Sequence, residues 1–250
     1  MFKFLAVGVG LLSAALVSAA DMKLEDKLEK AMTAETRPAG ELSRDRNRQP
    51  LETLQFLGLK DSMKVVELIP GGGWYTRLLA PVLAEKGELI VALGTSRVKN
   101  NIQGSKGFEN NIKIVAEDSK MYRPKDARLY TLEMDSLGVK NADMVLTFRN
   151  YHNFDEVGRA AMNKGAFHAL KSGGIYGVVD HTRRHMESDS RENRRRFDAV
   201  KAIKEIQAAG FEFVDFSDLH ARADDELRYE VGRKTVTGNT DRWTLKFRKP

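Results

Sequence analysis

The sequence contains no cysteine, and this absence removes several classes of protein at once. Without cysteine the chain forms no disulfide, holds no metal through thiolates and uses no cysteine nucleophile. It also shows no internal repeat and no low-complexity segment, which argues against repeat architectures. With 250 residues, the chain is long enough for one domain that is stabilised by a sizeable hydrophobic core.

Basic residues are nowhere concentrated into an extended run. The formal net charge is +6 at pH 7, and the 41 lysines and arginines are interleaved with 35 acidic residues. The densest basic run, RENRRRFD at 191–198, is predicted to lie on the solvent face of a helix. We therefore expect no nucleic-acid partner, and the expected partner is a small molecule or another acceptor of unknown class.

Long apolar runs are equally scarce, and the main one lies at the N-terminus. Lys3 precedes an apolar run from Phe4 to about Val17, which the small residues VSAA follow. Because a membrane span needs about 20 apolar residues, this pattern is typical of a secretory signal peptide, here residues 1–20. Cleavage would give an exported, periplasmic protein with no stable membrane insertion, and an uncleaved anchor is the alternative.

The rest of the chain separates into two parts. Residues 21–60 carry apolar residues at helical spacing, and we expect N-terminal helices that pack on the core. Residues 61–250 alternate predicted helices with short apolar runs, namely KVVELI, ELIVAL, ARLYTLEM, DMVLTF and IYGVVD. Such alternation indicates a parallel sheet with helices on both faces.

Helices are predicted over 74–84, over 155–170 with a glycine stop at 173 or 174, and over 191–209. The last two apolar runs, FEFVDF and RWTLKF, have no convincing helix between them. They are therefore predicted to form an antiparallel closing pair.

A glycine-rich turn follows the first predicted strand, in the segment VVELIPGGGWYT. Gly71, Gly72 and Gly73 let a ligand approach the backbone closely, and the next helix begins with free N–H groups. Ligands of open α/β sheets bind outside the carboxyl ends of the strands, so the turn is a candidate cofactor site. A ligand-free tight turn is the alternative. A nicotinamide dinucleotide fits less well, because Thr76 stands at the third glycine position of its fingerprint.

Three segments, VELIPGGGWYT, LTFRNYHNF and GVVDH, resemble the class I S-adenosylmethionine-dependent methyltransferases in their order and spacing. In detail they are similar to an exported family of predicted methyltransferases, over nearly the whole chain after residue 20. The resemblance implies an α/β, Rossmann-like fold with a seven-stranded, mostly parallel sheet and helices on both faces. It further implies an antiparallel last strand, N-terminal helices before a methyltransferase-like domain at 61–250, and S-adenosylmethionine as the cofactor.

The resemblance also implies which residues hold that cofactor. Glu67 would be the acid at the end of the first strand, with 71–73 against the methionine part and Asp135 near the adenine. The chain departs from the usual pattern at Ile69, which replaces a glycine. It departs again at Gly94, near which an acid normally binds the ribose hydroxyls. Loss of that acid is expected to cost on the order of 2–3 kcal/mol of cofactor binding.

Polar residues follow two later strands. Asn150 and His152 come after DMVLTF, where His152 is chemically suited to accept a proton from a methyl acceptor. After IYGVVD, Asp180 and His181 could direct a second imidazole toward the same cleft. The alternatives are a histidine that caps the next helix and a hydrogen-bonded loop. The spacing of His181 and His185 permits a metal ligand pair, but we predict no metal site.

These observations favour an exported S-adenosylmethionine-dependent methyltransferase of unknown acceptor. Its predicted catalytic residues are His152, Asn150 and His181. The alternative is a non-catalytic protein of the same fold that binds or senses a ligand in the periplasm. The missing ribose acid and Ile69 favour the alternative, whereas Glu67, the three glycines and Asp135 favour the enzyme.

Overall fold

The computed structural model describes residues 23–109 and 111–250, so the predicted signal peptide lies outside the described residues. The strands are β1 Lys64–Leu68, β2 Glu88–Ala92, β3 Lys113–Val115, β4 Lys120–Tyr122, β5 Thr131–Glu133, β6 Ala142–Phe148, β7 Leu170–His181, β8 Glu212–Ser217 and β9 Arg242–Arg248. The helices are α1 Leu24–Met32, α2 Ala39–Leu42, α3 Asp45–Arg48, α4 Pro50–Leu57, α5 Thr76–Leu83, α6 Ser96–Asn101, α7 Glu156–Ala169 and α8 Ala199–Ala208. A 3₁₀ turn covers Tyr151–Asn153.

Seven strands form one sheet in the order β3-β2-β1-β6-β7-β9-β8. The first five of these pair in parallel, whereas β9 is antiparallel to both β7 and β8. The seven-stranded, mostly parallel sheet with an antiparallel last strand is thus confirmed. Its register aligns Leu68 with Ala92 and with Thr147, so that β1, β2 and β6 end side by side.

Helices cover both faces of this sheet, as expected for parallel strands that are buried on both sides. On one face, α7 and α8 pack through side chains such as Met162 and Ile206. On the other face, α1, α4 and α5 form a second cluster that includes Leu28, Leu54 and Leu78. All these side chains are fully buried. The N-terminal helices therefore belong to the core. None of the described helices is long and apolar enough to cross a membrane.

One predicted strand was placed in the wrong sheet. The run ARLYTLEM supplies β5, which pairs with β4 in a separate antiparallel sheet of two strands. The main sheet instead ends with β3, where Lys113 is exposed and the next two residues are only half-buried. A three-residue strand with so little burial has no clear apolar signal.

The helix predicted over 191–209 begins eight residues later, at Ala199. Asp198 caps it, because its carboxylate accepts the N–H of Val200 at 2.9 Å. Upstream, the Arg196 guanidinium binds both carboxylate oxygens of Asp225 at 2.8 and 2.9 Å, which holds the chain outside a helix. The glycine stop at 173–174 was also wrong, since α7 already ends at Ala169 and both glycines lie in β7.

Candidate active site

Three adjacent strands end in residues with left-handed backbone conformations at the same edge of the sheet. The φ angles are 54° at Ile69 after β1, 66° at Leu93 after β2 and 64° at Arg149 after β6. A β-branched residue such as isoleucine rarely adopts this conformation. Hydrogen bonds hold it here, since the Ile69 N–H donates to Ala92 O at 2.8 Å and Asn150 Nδ2 donates to Ile69 O at 3.1 Å. Such clustered strain is typical of functional sites.

The three glycines of the turn after β1 differ in what surrounds them. A Cβ atom at Gly71 or Gly72 would meet nothing within 4 Å, so both face open space. A Cβ at Gly73 would lie 2.1 Å from Ile102 Cδ1, so this glycine permits close packing of α6. Arg77 Nη1 donates to Gly72 O at 2.9 Å, and this hydrogen bond stabilises the turn. Gly71 and Gly72 are therefore the positions that a ligand can approach.

A cavity of about 270 Å³ lies over this turn. We call it the glycine-loop cavity. Four of the predicted site residues line it, namely Glu67, Gly71, Gly72 and Asn150. Its remaining polar lining consists mainly of arginines from α3, from the segment before it and from the end of β6. The structure thus brings the end of β1 and the end of β6 together at one opening.

Two acids line this cavity: Glu41, which binds Arg77, and Glu67, which is almost fully buried at the end of β1. Thr76 Oγ1 donates to Glu67 Oε2 at 2.6 Å. Burial raises the pKa of Glu67 from 4.5 to about 7, although Thr76 and the charge of Arg48 oppose the rise. The carboxyl group therefore changes charge near neutral pH, at the strand end where the sequence predicted a cofactor contact.

Aromatic rings form one wall of the glycine-loop cavity. The rings of Tyr75 and Phe148 stack with centroids 3.5 Å apart, and Trp74 meets the Tyr75 ring edge-on. Arg48 lies over the indole ring of Trp74, 4.3 Å from its centroid. Burial raises the pKa of Tyr75 to about 12, so its phenol stays protonated. These aromatic side chains pack on each other and on arginine.

The end of β2 is closed by apolar side chains. Gly94 has a φ of 60°, and a Cβ there would lie 2.9 Å from Met121 Cε and 3.9 Å from Ile69 Cγ2. Met121 comes from β4, so the small β4–β5 sheet covers this strand end. Among the described residues, no carboxylate lies at this contact in place of the acid that usually binds the ribose hydroxyls. Asp135 lines another cavity, of about 320 Å³, with Asp118, Lys120 and Glu133, and does not line the glycine-loop cavity.

His152 and Asp180 form a buried pair. His152 Nδ1 lies 2.5 Å from Asp180 Oδ1, and the other carboxylate oxygen accepts the His152 N–H at 2.8 Å. Asp180 also accepts the backbone N–H of His181 at 2.7 Å. The carboxylate therefore orients the imidazole and leaves its Nε2 free of this bond. The ring lines a cavity of about 250 Å³ with Arg159 and Arg183, and it does not line the glycine-loop cavity.

His181 has a different environment from His152. Arg149 Nε donates to His181 Nε2 at 2.9 Å, so that nitrogen is an acceptor and the proton is on Nδ1. Nδ1 in turn lies 2.8 Å from Thr240 Oγ1. Burial and the neighbouring arginines hold the pKa of His181 well below 6.5, so the ring is neutral. Its geometry suits the orientation of Arg149 better than proton transfer.

Two further histidines, His185 and His220, form hydrogen bonds with their neighbours. His185 Nδ1 lies 2.9 Å from Asp198 Oδ2. His220 is buried between Thr244 Oγ1 at 2.7 Å and Arg48 O at 2.9 Å, and burial lowers its pKa to about 4. Across residues 23–109 and 111–250, no three histidine, aspartate or glutamate side chains are grouped so that they could hold a metal ion.

The sheet order, the antiparallel last strand and the glycine turn after β1 define the fold of class I S-adenosylmethionine-dependent methyltransferases. A methyltransferase of this class from Aquifex aeolicus superposes with a TM-score of 0.59 at 13% identity, over 90% of this chain and 98% of the other. The [4+2]-cyclase SpnF has a TM-score of 0.53 at 14% identity, over 91% and 93% of the two chains.

A third similar structure contains a ligand. The glycopeptide N-methyltransferase MtfA in complex with sinefungin has a TM-score of 0.51 at 16% identity, over 82% of this chain and 94% of that one. No model of a protein family matches the sequence, and no curated protein sequence matches it. The likeness therefore shows the fold, and a fold that also carries a cyclase does not by itself fix the reaction.

Proposed function

We propose that the chain is an S-adenosylmethionine-dependent methyltransferase. One observation carries this proposal: the open face of Gly71 and Gly72 lies in the same cavity as the buried acid Glu67. Both features stand at the end of β1, in the fold that methyltransferases share. The similar structures support the proposal at the level of the fold, and one of them holds sinefungin.

The residues of the glycine-loop cavity fit the amino-acid end of S-adenosylmethionine. Glu67 offers a carboxylate to its ammonium group, and Arg48 and Arg149 offer guanidinium groups to its carboxylate. When bound, the cofactor would supply an electrophilic methyl group on a sulfonium. The fit is poorer at the ribose end, because Met121 and Ile69 occupy the space around Gly94. Tight cofactor binding is therefore expected to need movement of the β4–β5 sheet.

We propose that His152 takes up the proton that the methyl acceptor loses. Asp180 holds the Nδ1 of His152, so Nε2 is the ring nitrogen left to take up a proton, and His152 lines the cavity that it shares with Arg159 and Arg183. Asn150 stabilises the end of β1, because its Nδ2 donates a hydrogen bond to the carbonyl of the strained Ile69. We assign His181 a positioning role toward Arg149.

A pair of histidine variants tests this assignment. The change His152→Ala should reduce transfer of labelled methyl groups from S-adenosylmethionine to extract components about a hundredfold, with cofactor affinity unchanged. The matched control is His168→Ala, which removes an exposed histidine of α7 and should leave transfer unchanged. Loss of cofactor binding in His152→Ala would contradict the assigned role.

A second candidate function is ligand binding without methyl transfer. The apolar closure of the β2 end by Met121 and Ile69 favours it, since no carboxylate there replaces the usual ribose partner. A protein of this kind would bind a ligand in the glycine-loop cavity and transfer no labelled methyl group to any acceptor.

We also propose that the chain is exported and that its signal peptide is removed. The support is the sequence pattern of residues 1–20 alone. Cell fractionation should place the protein in the periplasm, and N-terminal sequencing should find a chain that begins after Ala19 or Ala20. A cytoplasmic protein that retains Met1 would contradict the proposal.

A further inference from the structure

A second cavity adjoins the glycine-loop cavity and is rich in arginine. It has a volume of about 380 Å³ and lies between α3, the ends of β6 and β7, the start of β9 and the segment before it. Five arginines line it, and no aspartate or glutamate does. They are Arg44, Arg46, Arg48, Arg149 and Arg242. We call this space the arginine cavity.

None of these five arginines forms a salt bridge with any described acid of the chain. Of the five, Arg48 and Arg242 are buried, Arg149 is half-buried, and Arg44 and Arg46 are exposed. Buried arginines elsewhere in the protein are paired: Arg37 binds Asp45 through two nitrogens, and Arg196 binds Asp225 in the same way. The fold therefore supplies acids to its structural arginines. The arginine cavity is an exception to this rule.

Neutral groups hold two of the five guanidinium groups in place. Arg149 donates from Nε to His181, and Arg242 donates from Nη1 to Asn47 O at 2.6 Å. The Nε of Arg242 is buried and has no hydrogen-bond partner in the described chain. Two fixed cations with unused donors, next to three further arginines, are arranged as an anion site would be.

The concentration of positive charge carries an energetic cost. Burial and the charges of neighbouring arginines lower the pKa of Arg48 to about 9 and that of Arg242 to about 10. The carboxylate of Asp180 faces Arg149 and Arg242 but is already occupied by His152. An anion in the cavity would offset the repulsion among the arginines.

We propose that the arginine cavity binds an anionic small molecule that carries two or more phosphate, sulfate or carboxylate groups. The glycine-loop cavity shares Arg44, Arg48 and Arg149 with it, so a bound anion lies beside the proposed cofactor position. In the proposed function this anionic molecule is the methyl acceptor. That last step rests on the proposed function, whereas anion binding does not.

The test is a titration of the full chain with inorganic pyrophosphate and citrate at constant ionic strength, without cofactor. Both should bind, and the melting temperature should rise by about 2–4 °C at saturation. The changes Arg46→Gln and Arg149→Gln should each weaken binding about tenfold to a hundredfold. The control Arg97→Gln removes an exposed arginine of α6 outside the cavity and should leave affinity unchanged.

Two results would overturn the anion site. One is the absence of any binding or melting shift at about 10 mM of either anion. The other is an equal loss of affinity in Arg46→Gln and Arg97→Gln, which would indicate attraction by net charge alone.

A competition experiment separates the anion site from the proposed function. S-adenosylhomocysteine should bind together with pyrophosphate, which would support an acceptor site distinct from the cofactor. Competitive displacement would mean that the shared arginines Arg48 and Arg149 cannot bind the cofactor carboxylate and the second anion together, and it would overturn the acceptor assignment. If pyrophosphate binds and S-adenosylhomocysteine does not, the proposed methyltransferase function fails while the anion site stands.

Discussion

At the scale of single residues, Glu67 couples stability to pH. Its pKa is raised from 4.5 to about 7, so between these values the folded chain keeps a proton that the unfolded chain has lost. The contribution of Glu67 to stability is therefore full below about pH 4.5, declines as pH rises toward 7, and is level above that. A shift of this size corresponds to about 3 kcal/mol.

The change Glu67→Gln should remove this dependence, because glutamine keeps a neutral group in the same place. Denaturant unfolding between about pH 5 and pH 8 should show a smaller loss of stability in the variant than in the wild type. Glu52→Gln, at an exposed position of α4, is the control and should retain the wild-type slope. Equal slopes in all three proteins would exclude Glu67 as the source.

Ile69 is the second residue with a specific consequence. A glycine would relieve a left-handed φ of 54° but remove a partly buried apolar side chain that packs against the core. These effects oppose each other, so Ile69→Gly should change stability by no more than about 1 kcal/mol. Because the change also opens the space beside Gly94, the affinity for S-adenosylhomocysteine should increase.

The matched control for Ile69→Gly is Leu93→Gly. Leu93 has a similar φ of 66°, but its side chain is fully buried. Its loss should cost about 2–5 kcal/mol of stability and should not improve binding. Unchanged or weaker binding in Ile69→Gly, measured by calorimetric titration, would mean that Ile69 does not obstruct the cofactor.

At the scale of elements, the turn between β1 and α5 combines an open face with a packed face. Gly73→Ala should destabilise the protein by about 2 kcal/mol or more, because it strains a φ of 81° and drives a methyl group into Ile102. Gly72→Ala should stay within about 0.5 kcal/mol of wild type, since its Cβ meets nothing. Thermal unfolding measures both. Equal destabilisation would contradict the division of roles.

The sequence predicted this turn well, because a buried β-branched strand followed by three glycines has few other interpretations. It did not predict which glycine faces the ligand, since that depends on the approach of α6 through Ile102. It also did not predict the left-handed conformation of Ile69, because isoleucine rarely adopts it. Hydrogen bonds from other parts of the fold hold this residue in place. The placement of β5 failed because an apolar run does not reveal its partner strand.

At the scale of the whole molecule, the alternation of strands and helices predicted a parallel sheet with helices on both faces, and the family resemblance supplied the seven strands and the antiparallel last strand. Its order follows from parallel pairing with crossover helices and an antiparallel last strand. The arginine cavity could not be predicted in the same way. Its residues lie between 44 and 242, and each is unremarkable alone; only the fold brings α3, β6 and β9 together.

The whole molecule also keeps the predicted site residues apart. Glu67, Gly71, Gly72 and Asn150 share one cavity, whereas His152 and Asp135 line two others. Strand order places Glu67, the glycines and the residues after β6 at the same edge of the main sheet, whereas Asp135 follows β5 of the separate sheet. Side-chain packing then decides which opening each residue faces. An acceptor bound in the arginine cavity would have to extend beyond that cavity to reach His152, which lines another one.

The most direct test of the proposed function is a calorimetric titration of S-adenosylhomocysteine into the wild-type protein and into Gly72→Ala. The variant places one methyl group in the open space of the glycine-loop cavity at an ordinary φ. Gly40→Ala, in α2, is the matched control because its Cβ also meets nothing within 4 Å. We predict binding to the wild type and to Gly40→Ala, with affinity at least about tenfold weaker in Gly72→Ala. No binding to the wild type at millimolar concentration, or equal binding to all three proteins, would contradict a cofactor site at this turn.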